Sequence, residues 1–261
     1  MNMKIKQIVE KLEKLAPQKL AYSWDNVGLL FGSGDWEVKK ILLTLDMDEN
    51  VASEAARKGA NLVIGHHPIF FNPAQKITDN FSDGKAVMTL AENKTAYFAA
   101  HTNLDIAKGG LNDLFAKKLE LYDAEILEYT EETQGIGRIG KCKPMSLSEL
   151  AKKVKDVFGA QYVRVCGNEE KIVKTVAVNS GGGTALIGAA IKEGADVLVT
   201  GDFKYAQMRE CVFGGLNVID IGHYNTEILC RDIFYEFLKN EFKDEIEIEF
   251  SQENTNVMKF I

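Results

Sequence analysis

Residues 62–68 read Leu62-Val63-Ile64-Gly65-His66-His67-Pro68, an apolar run that ends in a glycine and two adjacent histidines. The apolar run is typical of a buried strand. Pro68 favours an extended backbone at His67, so no helix begins there. Because neighbouring side chains on a strand point to opposite faces, the two imidazoles could reach two different points close together. That arrangement suits a pair of metal ions, although a His-His pair alone is also common on protein surfaces.

The two remaining histidines of the chain open a shared pattern, His-x-Asn-x-acid. One copy is His101-Thr102-Asn103-Leu104-Asp105 and the other is His223-Tyr224-Asn225-Thr226-Glu227. Each copy follows an apolar run, at residues 97–100 and 218–221. All four histidines are therefore confined to three predicted strand ends, and we interpret this placement as a metal site.

The composition is that of a globular protein with a real core, since 46% of the residues are hydrophobic and 26% are charged. A net charge of −7 argues against broad binding to nucleic acid or to an anionic membrane. No apolar run reaches the length of a membrane span, and the N-terminal residues lack a signal-peptide core. The four cysteines form no Cys-x-x-Cys pair, so we expect reduced thiols in a cytoplasmic protein.

An internal repeat is visible at a shift of 135 residues, which aligns Gly32 with Gly167 and Gly59 with Gly194. Each half reads helix, strand, strand, helix, strand, strand, helix, strand. A bland alternative is that all helix–strand units look alike, but the matched glycines keep their order along both halves.

We therefore predict an α/β fold of two similar lobes that arose by internal duplication. The first lobe is predicted at residues 1–127 and the second at 128–261, joined somewhere between residues 128 and 138. Since pockets favour domain interfaces, a dinuclear metal site is expected in the cleft between the lobes.

The candidate ligands are imidazoles and carboxylates. Asp105 and Glu227 are the natural bridges between two ions, His66 and His67 can each take one ion, and His223 would complete one side. A set without thiolate suits two divalent ions of Zn, Fe, Mn, Co or Ni better than Ca. Open coordination positions would hold water, whose lowered pKa makes it a hydrolytic nucleophile.

Three further features each have more than one interpretation. His101 is a ligand, an orienting partner of Asp105 or a general acid/base, and we favour the last two. Asp202 either caps the segment 203–208 or is functional. The run Gly181-Gly182-Gly183-Thr184 could cradle phosphate, but it lacks the Lys-Ser/Thr of a P-loop; we favour a tight turn before a helix at residues 185–192.

Several motifs together resemble the Nif-three-like family, whose members are often labelled GTP cyclohydrolase I type 2 homologues. The matching motifs are Trp24-Asp25-Asn26-Val27-Gly28-Leu29, Gly65-His66-His67-Pro68, His101-Thr102-Asn103-Leu104-Asp105, Gly201-Asp202-Phe203-Lys204-Tyr205 and Gly222-His223 through Glu227. Many relatives have a histidine where this chain has Ala206, and this departure bears on the substrate or the rate.

The resemblance implies two similar α/β lobes, a ring-shaped homohexamer and a dinuclear metal centre. The implied metal ligands are His66, His67, Asp105, His223 and Glu227. It also implies a small-molecule substrate, with GTP as the candidate, whose guanine imidazole ring is opened by a metal-bound hydroxide with loss of formate. The alternative is a metal-binding scaffold or regulatory protein that forms the ring-shaped oligomer and catalyses nothing.

Overall fold

The computed structural model describes residues 3–253 and 255–259. They form two compact units. The first unit comprises the described residues up to 107 together with those from 230 to 259, and the second comprises residues 108–229. Each unit is built on a β-sheet of its own.

The elements alternate between helix and strand along most of the chain. The strands are β1 (Gly28–Phe31), β2 (Lys40–Leu43), β3 (Leu62–Gly65), β4 (Ala96–Ala99), β5 (Tyr122–Tyr129), β6 (Gly135–Ser146), β7 (Arg164–Cys166), β8 (Ile172–Gly182), β9 (Val197–Gly201), β10 (Asn217–Asp220) and β11 (Glu247–Phe250). The α-helices are α1 (Ile5–Leu15), α2 (Glu49–Lys58), α3 (Ser82–Glu92), α4 (Thr102–Ile106), α5 (Leu111–Lys118), α6 (Leu147–Val157), α7 (Ile187–Lys192), α8 (Tyr205–Phe213), α9 (His223–Glu227) and α10 (Cys230–Phe242). Short 3-10 helices cover Gln18–Leu20 and Thr184–Leu186.

The sheet of the first unit has the order β1-β4-β3-β2-β11, in which only β1 is antiparallel to its neighbour. Every residue of β3 and β4 is buried, as expected for parallel strands that are covered on both faces. A core cluster on this sheet includes Val51 of α2, Leu90 of α3, and Val63 and Tyr97 of the strands.

Local signals in the sequence set the helix ends. The Asp48 carboxylate accepts hydrogen bonds from the backbone N–H groups of Asn50 and Val51, at 2.9 and 2.8 Å, and so begins α2. Gly59, with φ of 67°, ends that helix in the left-handed conformation. Ser146 caps α6 in a reciprocal pair with Glu149.

The sheet of the second unit has the order β5-β6-β8-β9-β10-β7. Its segment β7-β10-β9-β8 repeats β1-β4-β3-β2 in order and in direction, with one antiparallel pair followed by two parallel pairs. The two units therefore share the topology that an internal duplication requires, and the predicted two-lobed α/β class is confirmed.

The chain is divided differently from the predicted lobes 1–127 and 128–261. The helix and strand that close the second repeat, α10 and β11, belong to the first unit, because β11 pairs with β2 in parallel. The corresponding elements of the first repeat, α5 and β5, belong to the second unit. Residues 128–138, predicted as the joint, are instead part of the β5–β6 hairpin.

The predicted order of elements in each half also missed helices. In the first half, α3 lies between β3 and β4, and α4 follows β4. The helix predicted at residues 185–192 is split into a 3-10 turn and α7. Among the described residues no helix is both long and apolar enough to cross a bilayer.

A buried carboxylate fixes the C-terminal segment to α2. Glu54 is only 3% exposed and accepts hydrogen bonds from the Ser251 hydroxyl and the backbone N–H of Gln252. Lys58 lies 2.9 Å from the same carboxylate.

Glu54→Ala is expected to lower the free energy of unfolding by about 2–3 kcal/mol, because buried donors lose a charged acceptor. The matched control is Glu253→Ala, which removes an exposed ion pair with Arg57 that contributes about 0–1 kcal/mol. Urea denaturation of both variants measures the difference, and equal losses would contradict the anchoring role of Glu54.

Candidate metal centre

Three histidines of the first unit converge at the ends of neighbouring parallel strands. Gly65 of β3 pairs with Ala99 of β4, and the backbone N–H of Ala100 donates to the carbonyl of Gly65 at 3.1 Å. The residues that follow, His66, His67 and His101, therefore leave the sheet side by side. One ring nitrogen from each lies within 4.8 Å of the other two, and we call this set the three-histidine cluster.

A buried tyrosine holds the backbone of this strand end. The Tyr97 hydroxyl, on β4, donates to the carbonyl oxygen of His67. A Cβ atom on Gly65 would lie 2.2 Å from that hydroxyl oxygen, so only glycine fits between β4 and the histidine pair. Burial raises the pKa of Tyr97 well above its usual value, which keeps the hydroxyl protonated as a donor.

The three imidazoles of the cluster share one hydrogen-bonding arrangement. In each ring Nδ1 faces an oxygen that accepts a hydrogen bond, so Nδ1 carries the hydrogen and Nε2 is left as the electron-pair donor. The pairs are His66 with the carbonyl of Ala100 at 2.7 Å, His67 with the Asp46 carboxylate at 2.6 Å, and His101 with the Asp25 carboxylate at 2.9 Å.

Asp25 is an ionised acceptor beneath His101. Burial by itself would raise the pKa of this carboxyl, but hydrogen bonds from His101 and Thr102 outweigh that effect and lower the pKa to about 2. Its second oxygen accepts from the backbone N–H of Thr102 at 3.1 Å. Asp25 therefore fixes both the ring of His101 and the first turn of α4.

Asp105 adds a carboxylate to the cluster. It lies on α4, four residues after His101, and residues at that spacing share one face of a helical turn. Its Oδ1 is 3.8 Å from Nε2 of His66, and its side chain is nearly buried. The first unit thus brings together four of the predicted site residues.

The second unit builds a smaller set at the corresponding strand ends. Thr200 of β9 pairs with Asp220 of β10, and the N–H of Ile221 donates to the Thr200 carbonyl at 3.0 Å. His223 begins α9, and its Nε2 lies 2.8 Å from Oε2 of the buried Glu227. Its Nδ1 lies 2.8 Å from the Asp202 carboxylate.

These carboxylates change the acidity of His223. Burial lowers the pKa of this imidazole, but the hydrogen bond and charge of Glu227, then those of Asp202, outweigh it and raise the pKa to about 9. A divalent cation bound at Nε2 of His223 would replace the proton on that nitrogen.

Gly181 allows the backbone to approach Glu227. It has φ of 64°, and a Cβ atom there would lie 2.2 Å from Oε1 of Glu227. Its N–H donates to the Thr226 hydroxyl at 2.8 Å, and its carbonyl accepts from the Thr200 hydroxyl at 3.0 Å. Gly181, the first glycine of the run at residues 181–183, therefore leaves room for the Glu227 carboxylate.

The structure decides between the two interpretations of Asp202. Asp202 does not cap α8, which begins at Tyr205 after the N-cap residue Lys204; its carboxylate holds His223 instead. Glu227 is the last residue of the one-turn helix α9.

Sequence reasoning assigned no role to Asp25 and missed Asp46. Asp46 follows the apolar run at residues 41–45. Because the carboxyl ends of parallel strands meet at one edge of a sheet, an acid after β2 was a usable signal for a residue near His67.

The donor set fits a divalent metal. Imidazole Nε2 atoms and carboxylate oxygens are ligands that Zn and similar ions prefer. Carboxylates and carbonyls that hold the opposite ring nitrogen are the usual supports of metal-binding histidines. The buried histidine and glutamate groups could therefore hold metal.

Comparisons with known proteins agree on one family. The profile of the Duf34/NIF3 (NGG1p interacting factor 3) family matches residues 3–257. A Clostridium perfringens protein named GTP cyclohydrolase 1 type 2 homolog is 34% identical over 99% of this chain and 100% of its own length. A Lactococcus lactis protein of the same name is 35% identical over 97% of this chain and 98% of its own. The crystal structure of a Bacillus cereus protein related to NIF3 superposes with a TM-score of 0.93, at 26% identity, and covers 100% of this chain and 99% of that one.

Gly181→Ala is expected to weaken Zn²⁺ binding about tenfold or more, because the added methyl group displaces the Glu227 carboxylate. Gly194→Ala is the matched control, since Gly194 has a similar φ of 73° but nothing within 4 Å of its Cβ position. Both variants take on backbone strain of about 1–2 kcal/mol, and only the first should lose affinity. Chelator competition and thermal melting measure the two effects separately. Equal affinities in the two variants would contradict this role of Gly181.

Proposed function

Because the chain belongs to the Duf34/NIF3 family, we propose that it is a dinuclear-metal hydrolase of the cytoplasm. The proposed ligands are His66, His67, Asp105, His223 and Glu227. The observation that carries the proposal is the shared arrangement of the three proposed ligand imidazoles, each with Nδ1 held by an oxygen acceptor. Such orientation is the usual support of metal-ligating histidines.

Divalent ions polarise bound oxygen atoms and lower the pKa of water towards about 7. The residues of the chain have separate roles around them. Asp105 and Glu227, both buried, would hold metal through their carboxylates, whose negative charge would offset the repulsion between two cations. His101 is the proposed acid/base, since Asp25 fixes its Nδ1 and leaves Nε2 to accept or deliver a proton.

The names of the relatives suggest the reaction class. In opening of a guanine imidazole ring, one water adds to C8 and the C8–N9 bond breaks, which leaves a formamide on N7. A second water cleaves the formamide and releases formate. Each step needs a proton moved between nitrogen and oxygen, and His101 is placed in this proposal to move it.

A second candidate is a metal-binding scaffold that assembles into a ring-shaped hexamer without turnover. It is favoured by helix α8, on which Tyr205 and Phe213 are 76% and 79% exposed. The guanidinium of Arg209 lies 5.9 and 5.4 Å from their ring centroids. Exposed apolar groups of this kind mark association surfaces.

Protein purified without chelator is expected to contain two divalent ions per chain. Asp105→Ala should lose metal, because it removes a proposed carboxylate ligand. His101→Ala should keep most of its metal, while formate release from GTP falls roughly 10²–10⁴-fold through loss of the acid/base. Elemental analysis and a formate assay on both variants measure these effects.

The outcomes separate the alternatives. Equal metal loss in the two variants would show that His101 is a ligand. One ion or none per chain, also after reconstitution, would remove the dinuclear proposal. Two ions without turnover of any nucleotide would favour the scaffold.

Light scattering at micromolar concentration is expected to give a mass near six times the single-chain 29.0 kDa. Because Tyr205 and Phe213 are large and exposed, Phe213→Glu should shift the assembly towards smaller species. A mass near one chain for the unmodified protein would remove the hexamer.

A further inference from the structure

Two exposed aromatic side chains contact His101 in the first unit, and a third, partly buried ring stacks on one of them. We call Tyr22, Trp24 and Phe71 the aromatic patch. Tyr22 and Trp24 stack with centroids 5.8 Å apart, and Trp24 and Phe71 each present an edge-to-face contact to His101, at 6.1 and 5.6 Å. Trp24 is 59% exposed and Phe71 is 49% exposed, so neither ring serves mainly as core.

Hydrogen bonds fix the backbone beneath the patch. Asp25, next to Trp24, accepts from His101 and Thr102. The Asn26 side chain donates to the carbonyl of Phe70 at 2.7 Å, directly before Phe71. The segment that carries Trp24 and the segment that carries Phe71 are thus tied to each other and to the three-histidine cluster.

The size of the patch suits a small ring better than a protein partner. From the exposed fractions and typical aromatic areas, Trp24 and Phe71 together offer roughly 250 Å². A specific protein interface needs about 800 Å² on each side. Fused heteroaromatic rings are flat, and they stack on aromatic side chains whatever their exact pattern of hydrogen-bonding groups.

We propose that Trp24 and Phe71 bind the flat heteroaromatic ring of the substrate, a nucleobase, and hold it beside His101. The proposal rests on the proposed function in one respect, since the bound ring is taken to be the part that is hydrolysed. Trp24 and Phe71 are then ring-binding residues that do not distinguish one nucleobase from another, while Asp25 and Asn26 position them.

The test measures nucleotide binding by metal-loaded, full-length protein, apart from turnover. Trp36 is the chain's other tryptophan, so in a Trp36→Phe background Trp24 alone reports. GTP, ATP or UTP should quench its fluorescence, whereas tripolyphosphate, which has no ring, should not.

By calorimetry, Trp24→Ala and Phe71→Ala should each weaken binding of the quenching nucleotide about 5- to 150-fold. Trp24→Phe should retain most of the affinity, and both alanine variants should bind tripolyphosphate as the unmodified protein does.

Tyr129→Ala is the control, because Tyr129 is 61% exposed, much like Trp24, but lies on β5 of the second unit. Elemental analysis of every variant checks that the metal content is equal. The proposal is overturned if none of the three nucleotides binds, if both alanine variants bind them normally, or if tripolyphosphate binding falls equally. Binding through the patch without formate release would remove the hydrolase and leave this inference standing. Formate release that is unchanged in both alanine variants would overturn this inference and leave the hydrolase standing.

Discussion

The register between neighbouring parallel strands is the constraint on which the candidate metal-binding groups of each unit depend. In the first unit it pairs Gly65 with Ala99, and in the second it pairs Thr200 with Asp220. A glycine ends the first strand of each pair because the adjacent chain comes close. A Cβ atom on Gly65 would meet the Tyr97 hydroxyl, and one on Gly201 would lie 2.6 Å from the backbone nitrogen of His223. A slip of one residue in this register would turn the side chains that follow, such as His66 and His223, to the other face of the sheet.

The pattern His-x-Asn-x-acid describes a single helical turn placed at such a strand end. Its spacing sets the acid four residues after the histidine, on the same face. The asparagine stabilises the turn in different ways. Asn103 accepts from the backbone N–H of His101 at 2.8 Å and donates to the carbonyl of Ala16, whereas Asn225 donates to the carbonyl of Ile221. Local sequence thus encodes the turn, while the partner of each asparagine depends on the surrounding chain.

The features that depend on local sequence pattern could be predicted, whereas those set by pairing of strands far apart in the chain could not. Apolar runs located the strand ends that carry His66, His101 and His223, and the matched glycines revealed the repeat. The division of the chain was missed because a closing helix and strand are amphipathic in both repeats, and pattern alone does not say which sheet β11 joins. Asp46 was missed for a related reason, since its approach to His67 follows from pairing of β2 with β3.

The two units place different side chains on one strand topology. Where the first has two histidines after Gly65, the second has Asp202, whose φ of 62° is rare for a residue with a side chain. Such a conformation costs about 1–3 kcal/mol and persists only where neighbours over-determine it. Here Asp220 accepts from the N–H of Phe203 at 2.9 Å, and Arg164 donates to the Phe203 carbonyl at 2.8 Å. These hydrogen bonds hold the turn in the conformation that directs the Asp202 carboxylate to His223. Asp46 and Asp25 orient their histidines in the first unit in the same way, but neither of them has a positive φ.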